Sequence, residues 1–357
     1  MLRAVTCTIV LFLLLTSVNA QLKPGYDKAE SKELIKVNFR FAEKADSLGF
    51  PAPERFTLSY RSPITGTDNC WDFWEDKAGT GLISIRGTTG SANSWLSNFY
   101  TAMVPATGYM KLTEADTFYY DLAKDPKAAV HVGWLFSTGC LMKDIAPKLE
   151  AFIASGKRDL LVTGHSQGGA IAYLLTAHLR SLQAQGKLPA DLRIKTYCSA
   201  APKPGNLFFA YHYESITRDW AYNTINAADW VPETPFSVQT INDLNCTNPI
   251  TDAKSSMGGL PFFARIVVKR TFNRLDRPTR RSQRRFEKTS KKVGKILGKS
   301  LPGYEEPETA PTAAYVRCGT FVTMLPDAAY YAKFPDDSNN KFEHHMLLPY
   351  LYLMEKL

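Results

Sequence analysis

The sequence predicts an α/β fold, with a mostly parallel central sheet covered by helices on both faces. Three observations carry that expectation. Short apolar runs alternate with segments of helical spacing along most of the chain. One compact run, Asp159-Leu160-Leu161-Val162-Thr163, passes directly into a glycine-rich turn and then a long helical pattern. The 357 residues are 45% hydrophobic and 22% charged, which supplies a large core and excludes whole-chain disorder, a collagen-like chain and a disulfide-dense miniature.

The elements follow in order. Residues 1–20 read as a targeting signal: Arg3 supplies positive charge, Ile9 to Leu15 form a short apolar core, and Val18-Asn19-Ala20 has the small-residue spacing of a cleavage site. The apolar run is too short to cross a bilayer comfortably. Export is expected, to a periplasm or the cell exterior, with Gln21 as the first mature residue. Ser31 to Leu48 has helical spacing and stops at Gly49. Residues 56–61, 69–75 and 81–86 read as strands, and Ile145 to Ala154 as an amphipathic helix. Asp159 to Thr163 is a buried strand, followed by a helix to about Gln183. Further strands are expected at Ile194–Cys198, Thr224–Ala227 and Tyr315–Met324, then a terminal helix rich in Leu and Tyr. Residues 21–357 are expected to form one domain with a basic insertion at about 253–310.

Charge and cysteines narrow the classes. The net charge is +9, but Arg265 to Lys299 alone holds 14 Lys/Arg against 2 Asp/Glu, a local +12 that leaves the remainder at −3. The high overall charge is therefore one segment on a mildly acidic body, not a nucleic-acid signature, and no nucleic-acid partner is expected. Val293, Ile296 and Leu297 give this segment a weak apolar face, so it reads either as an exposed helical arm attracting anionic lipid or as a solvated charge run. Cys7 leaves with the signal. Cys70, Cys140, Cys198, Cys246 and Cys318 remain, so at least one is unpaired, and no CxxC spacing suggests zinc. Cys198 and Cys318 fall in expected strands as core thiols; the pairing of the others stays open.

Gly164-His165-Ser166-Gln167-Gly168 matches G-x-S-x-G. A serine on a sharp strand-to-helix turn has its hydroxyl lifted above the sheet, and residues two before and two after it must be small. The backbone N–H of Gln167, at a helix N-terminus, then points to where an oxyanion would form. Such a serine needs a base, and the base an orienting acid. Of six histidines, His165 flanks the serine, His178 lies in the next helix, His131 lies upstream and His212 sits in an aromatic stretch. His344 and His345 remain, near the C-terminus, in the chain order Ser, acid, His. Asp229 follows a strand end and is the favoured acid over Asp219, Asp243 and Asp252.

Together these segments resemble the class 3 lipase family. The resemblance rests on Ile85-Arg86-Gly87-Thr88, on Trp95 and Asn98, on His131-Val132-Gly133-Trp134, on the elbow with Gln167 where Leu is commoner, on Ala201-Pro202-Lys203-Pro204-Gly205-Asn206 and on Asn226-Ala227-Ala228-Asp229-Trp230-Val231-Pro232. It runs from about residue 65 to 250 and from 313 to 357. It implies an α/β-hydrolase fold and hydrolysis of carboxylic esters, foremost acylglycerols, with no metal or cofactor. A phospholipase A1, a feruloyl-type esterase and a non-catalytic lipid-binding homologue share the scaffold. It implies Ser166, Asp229 and His345 as the triad, with His344 the alternative base. His345 is preferred because it stands five residues before Tyr350-Leu351. The resemblance gives the oxyanion donors as the N–H groups of Thr88 and Gln167. It also places a lid between the oxyanion strand and the His131 segment. Phe99 to Tyr120 carries an aromatic stripe there, which suits either such a flap or an ordinary packed element.

Overall fold

The computed structural model describes residues 21–42, 45–245, 261–337 and 339–357. The expected signal at 1–20, Cys246, Asp252 and the first residues of the insertion lie outside the described residues. In chain order the strands are β1 (Thr57–Arg61), β2 (Trp71–Glu75), β3 (Gly81–Ile85), β4 (Met103–Pro105), β5 (Thr107–Lys111), β6 (Thr117–Asp121), β7 (Ala129–His131), β8 (Asp159–His165), β9 (Arg193–Ser199), β10 (Ala221–Asn226) and β11 (Thr320–Met324). The helices are α1 (Lys28–Asn38), α2 (Ala92–Phe99), α3 (Val132–Ala154), α4 (Gln167–Ala184), α5 (Leu207–Ile216), α6 (Phe262–Ser300), α7 (Ala328–Lys333) and α8 (Leu347–Glu355).

The main sheet has seven strands in the order β1-β2-β3-β8-β9-β10-β11. β1, β2 and β3 pair antiparallel, and every pairing from β3 to β11 is parallel. All seven residues of β8 are buried, as a strand covered on both faces requires. Its side chains alternate between two cores. Leu160 and Val162 join Ile83, Phe136 and Ile171 under α3 and α4. Leu161 joins Leu82, Tyr197, Leu34 and Val37 under α1. A third cluster binds the tail to the beginning of the chain: Leu347, Tyr350 and Leu353 of α8 pack with Ile35 and Tyr330.

Several elements differ from the sequence expectation. α1 ends at Asn38, followed by a 3-10 turn at Phe39–Phe41, so the helix is shorter than 31–48. The expected helix at 145–154 is the last part of the 23-residue α3. The strand expected at 315–324 covers only Thr320–Met324, because Gly319 takes φ 81 and interrupts the extended path. Cys318 is therefore buried outside a strand, and Cys70, Cys140, Cys198 and Cys318 are all free buried thiols. The aromatic stripe from 99 to 120 is core: Tyr100, Met103, Val104 and Met110 are fully buried. The antiparallel β5–β6 hairpin explains the pattern, with Met110, Phe118 and Tyr120 inward and Tyr109 and Tyr119 outward. Among the described residues no helix is long and apolar enough to cross a membrane.

Candidate active site

The turn after β8 is built by what is missing from it. A Cβ on Gly164 would stand 2.2 Å from the Gly168 carbonyl carbon, and one on Gly168 would stand 2.2 Å from the Ile85 carbonyl oxygen. Only hydrogens fit at both places, so the start of α4 lies directly on the end of β3. Between them Ser166 has φ 61 and ψ −131, a strained conformation for a residue with a side chain. Ser166 is half-buried, and its carbonyl accepts from the N–H of Gly169 at 2.9 Å and of Ala170 at 3.2 Å. The hydroxyl therefore stands at the mouth of the sheet, over the positive end of an 18-residue helix.

The Thr88 loop is braced by polar side chains. Asn98 Nδ2 donates to Thr88 Oγ1 at 2.9 Å. Asn98 Oδ1 accepts from Trp134 Nε1 and from Gln167 Nε2, both at 3.0 Å. Gln167 Nε2 also donates to the Ser94 carbonyl at 3.2 Å and contacts Ser97 Oγ. The buried Gln167 amide thus ties the first turn of α4 to α2 and, through Asn98, to Thr88. Leucine at this position could supply the same backbone N–H but none of this bracing. Gly133 lets α3 approach α2, since a Cβ there would lie 2.1 Å from the Ser97 carbonyl oxygen. His131 is part of the frame: buried, stacked on Trp134 at 3.7 Å, and pushed down to about 3 in pKa by that burial.

Asp229 lies in the turn after β10 and is buried. Its Oδ2 accepts from His345 Nδ1 at 2.7 Å and from the Tyr350 hydroxyl at 2.8 Å, and its Oδ1 accepts from the Val231 N–H at 3.0 Å. With Nδ1–H committed to the carboxylate, His345 carries its lone pair on Nε2. His344 is engaged elsewhere, with Tyr330 Oη at 2.7 Å from Nδ1 and Asp336 Oδ1 at 2.9 Å from Nε2. The two histidines occupy one 3-10 turn, Glu343–His345, which aims successive side chains apart. Asp219 has φ 62 in the turn before β10, and Asp243 closes a 3-10 turn through Thr240, so neither meets a histidine of the tail.

His165 links the two halves of the site. Its Nε2–H donates to the His345 carbonyl at 2.9 Å, so its Nδ1 accepts from the Ser199 hydroxyl, also at 2.9 Å. Burial, and then the neighbouring His345 ring, hold its pKa well below the ordinary histidine range. It is a neutral spacer whose ring lies tilted 4.4 Å from the His345 ring, and it joins the turn at Ser166 to the backbone of the candidate base. Neither His165 nor the Gln167 side chain carries a role in the sequence reading. No spacing rule exposes them, because their partners lie 180 and about 70 residues away.

A strained serine between a buried parallel strand and a helix, with an aspartate and a histidine from later loops, is the arrangement of an α/β-hydrolase fold. Residues 82–239 match the model of the family described as Lipase (class 3). Over 159 residues it is 27% identical to the secreted mono- and diacylglycerol lipase 1 of Fusarium solani, a stretch that is 43% of this chain and 39% of the relative. The chain thus spans about two-fifths of that relative's length. Among solved structures it resembles a fungal lipase in an inhibitor complex (22% identity, TM-score 0.46, covering 58% of this chain and 74% of that one). It also resembles the triacylglyceride lipase of Rhizomucor miehei (20% identity, TM-score 0.42, covering 60% and 77%).

Proposed function

We propose that this protein is a serine carboxylic-ester hydrolase acting on lipid esters, foremost an acylglycerol lipase. One observation carries the reading: the buried contact of His345 Nδ1 with Asp229 Oδ2 at 2.7 Å, with the His345 ring 4.4 Å from that of His165, the residue before the strained Ser166. In this reading His345 Nε2 takes the proton of Ser166 Oγ as that oxygen attacks the ester carbonyl. The carbonyl oxygen becomes an oxyanion, received by the backbone N–H groups of Thr88 and Gln167. The imidazolium, stabilised by Asp229, returns its proton to the departing alcohol oxygen. Water, deprotonated by the same Nε2, then cleaves the acyl-enzyme and releases the carboxylic acid. The frame around Thr88 preserves the donor geometry without reorganisation during the reaction. The proposal treats residues 21–357 as one exported hydrolase domain, with residues 1–20 as the cleaved signal. The Fusarium relative's name supports partial acylglycerols as first substrates to try.

The test is fluorophosphonate labelling of the wild type and of Ser166→Ala, His344→Ala and His345→Ala, read beside hydrolysis of tri-, di- and monoacylglycerol, phospholipid and feruloyl esters. Wild type and His344→Ala should label at similar rates, Ser166→Ala should not label, and His345→Ala should slow by about 10³-fold or more. Labelling of Ser166→Ala, or a loss confined to His344→Ala, would overturn the assignment.

A further inference from the structure

Helix α6 seats on the body along one stripe, with Phe286 and Val293 packed beside it. Its buried residues are Asp276, Gln283, Ser290 and Leu297, at seven-residue intervals, with Gly294 beside them. Seven residues are close to two turns, so these positions form one narrow stripe. The stripe is made of small and polar groups seated closely. Ser290 Oγ accepts from the Ala102 N–H at 2.6 Å. A Cβ on Gly294 would come within 2.7 Å of Tyr100 Oη, so glycine there admits the tyrosine. Tyr304 closes the contact by donating to Tyr100 Oη at 3.0 Å.

Beside this stripe Phe286 packs against Tyr315 and Val293 against the main core, and most of the remaining side chains face outward. The helix carries one dense cationic field, and Arg277, Arg280, Arg281 and Arg284 line an open cleft on it. Its acids are already engaged, Asp276 by Arg280 and Glu287 by the Gln283 amide. The other outward feature is apolar. Phe262 and Phe263, in edge contact at 5.6 Å, are 68% and 79% exposed, and Leu275 is 70% exposed. Cationic side chains with outward phenylalanine and leucine on one amphipathic helix match a lipid interface, where the charges meet phosphates and the apolar groups enter the acyl boundary. A nucleic-acid duplex would satisfy the charges but offer nothing to Leu275. α6 also packs on α2, the helix whose Asn98 holds the Thr88 loop.

We propose that α6 is a docking surface for anionic phospholipid, fastened by its polar stripe and presenting its basic and aromatic face to the lipid. Docking itself does not need the catalytic reading; its use in delivering substrate rests on it. Binding is therefore measured on full-length Ser166→Ala protein by sedimentation with vesicles of phosphatidylcholine alone or mixed with phosphatidylglycerol, at low and high salt. Binding should require the anionic lipid and fall with salt. Joint change of Arg277, Arg281, Arg284 and Arg285 to Gln should weaken it by about 100-fold or more, while the same four positions changed to Lys should retain it. Phe262→Ser with Phe263→Ser should weaken it with no change in melting temperature. Hydrolysis of a short soluble ester by the otherwise wild-type Gln variant should be unchanged, so that a failed docking and a failed catalytic reading give different results. Equal binding to neutral and anionic vesicles, or undiminished binding by the Gln variant, would overturn the proposal. So would loss in the Lys variant, or binding of duplex DNA that matches the vesicle binding and ignores both phenylalanines.

Discussion

Asp229→Asn tests the proposed proton chain with nearly no change in shape. The carboxylate accepts three hydrogen bonds, two at Oδ2 from His345 and Tyr350 and one at Oδ1 from the Val231 N–H. Asparagine offers one oxygen and one NH₂, so one side must change sign. If the NH₂ faced Val231, that amide and the backbone-fixed Val231 N–H would meet as two donors in a buried site, a penalty of about 1–3 kcal/mol. If it faces His345, the Tyr350 hydroxyl turns to accept and the imidazole moves its proton to Nε2. The second arrangement costs less and should prevail. It leaves His345 without a lone pair toward Ser166 and without a negative charge to stabilise its cation. Turnover should therefore fall by about 10⁴-fold, or roughly 5.5 kcal/mol of barrier, with little change in KM. Steady-state hydrolysis of a soluble p-nitrophenyl ester, with the fluorophosphonate labelling rate alongside, measures it. Melting should drop by no more than a few degrees, for the loss of about one charge-assisted hydrogen bond. A variant that keeps more than about a tenth of wild-type turnover would refute the tautomer argument.

Two further perturbations follow from the surrounding frame. Gln167→Leu keeps the backbone N–H but removes the donor to the Ser94 carbonyl and Asn98, while Asn98 retains Trp134; stability should fall by about 1–3 kcal/mol, and kcat should fall more than KM rises, read by denaturant unfolding and steady-state kinetics. His131 and His178 are pushed by burial down to about 3 and about 4, and His165 well below its ordinary range by burial and then His345. All three are depressed in the folded state, so the unfolded chain binds more protons below about pH 6.5 and stability declines from there toward the folded values, by up to about 1.4 kcal/mol per pH unit for each group. Urea midpoints at pH 7 and pH 5 measure this, and His178→Asn should flatten the dependence; equal midpoints for the wild type would contradict it.

The features that sequence exposes here are local ones. The elbow is legible because its glycines, its strand and its helix are contiguous. Asp229 is legible because a strand end and a proline frame it, and the structure places it on His345. The preference between His344 and His345 rests in sequence on spacing to Tyr350; in the structure the Tyr350 hydroxyl shares Asp229 Oδ2 with His345. What sequence leaves ambiguous is any element whose meaning depends on a distant partner. The stripe from 99 to 120 has the same alternation whether it faces a core or a covered groove, and only the packing of Tyr100 on α6 and of Met110 in the core decides it. Of the α6 contact the sequence shows only the end at Val293 and Leu297, because serine, glycine and glutamine carry no apolar signal. The strand expected from Tyr315 is shortened by a backbone angle at Gly319, which composition does not reveal.

The seating of α8 on α1 has a consequence for assembly. The candidate base stands just before α8, and the Lys28 ammonium donates to the Glu355 carbonyl at 2.9 Å while Leu347 and Tyr350 share a cluster with Ile35. Sheet, elbow and braced loop all precede residue 340 and have their own core, whereas the candidate base stands before a helix that seats on α1 across the 327 residues separating Lys28 from Glu355. On the proposed mechanism, a molecule clipped before residue 340 would keep the strained serine yet carry a poised but inert hydroxyl.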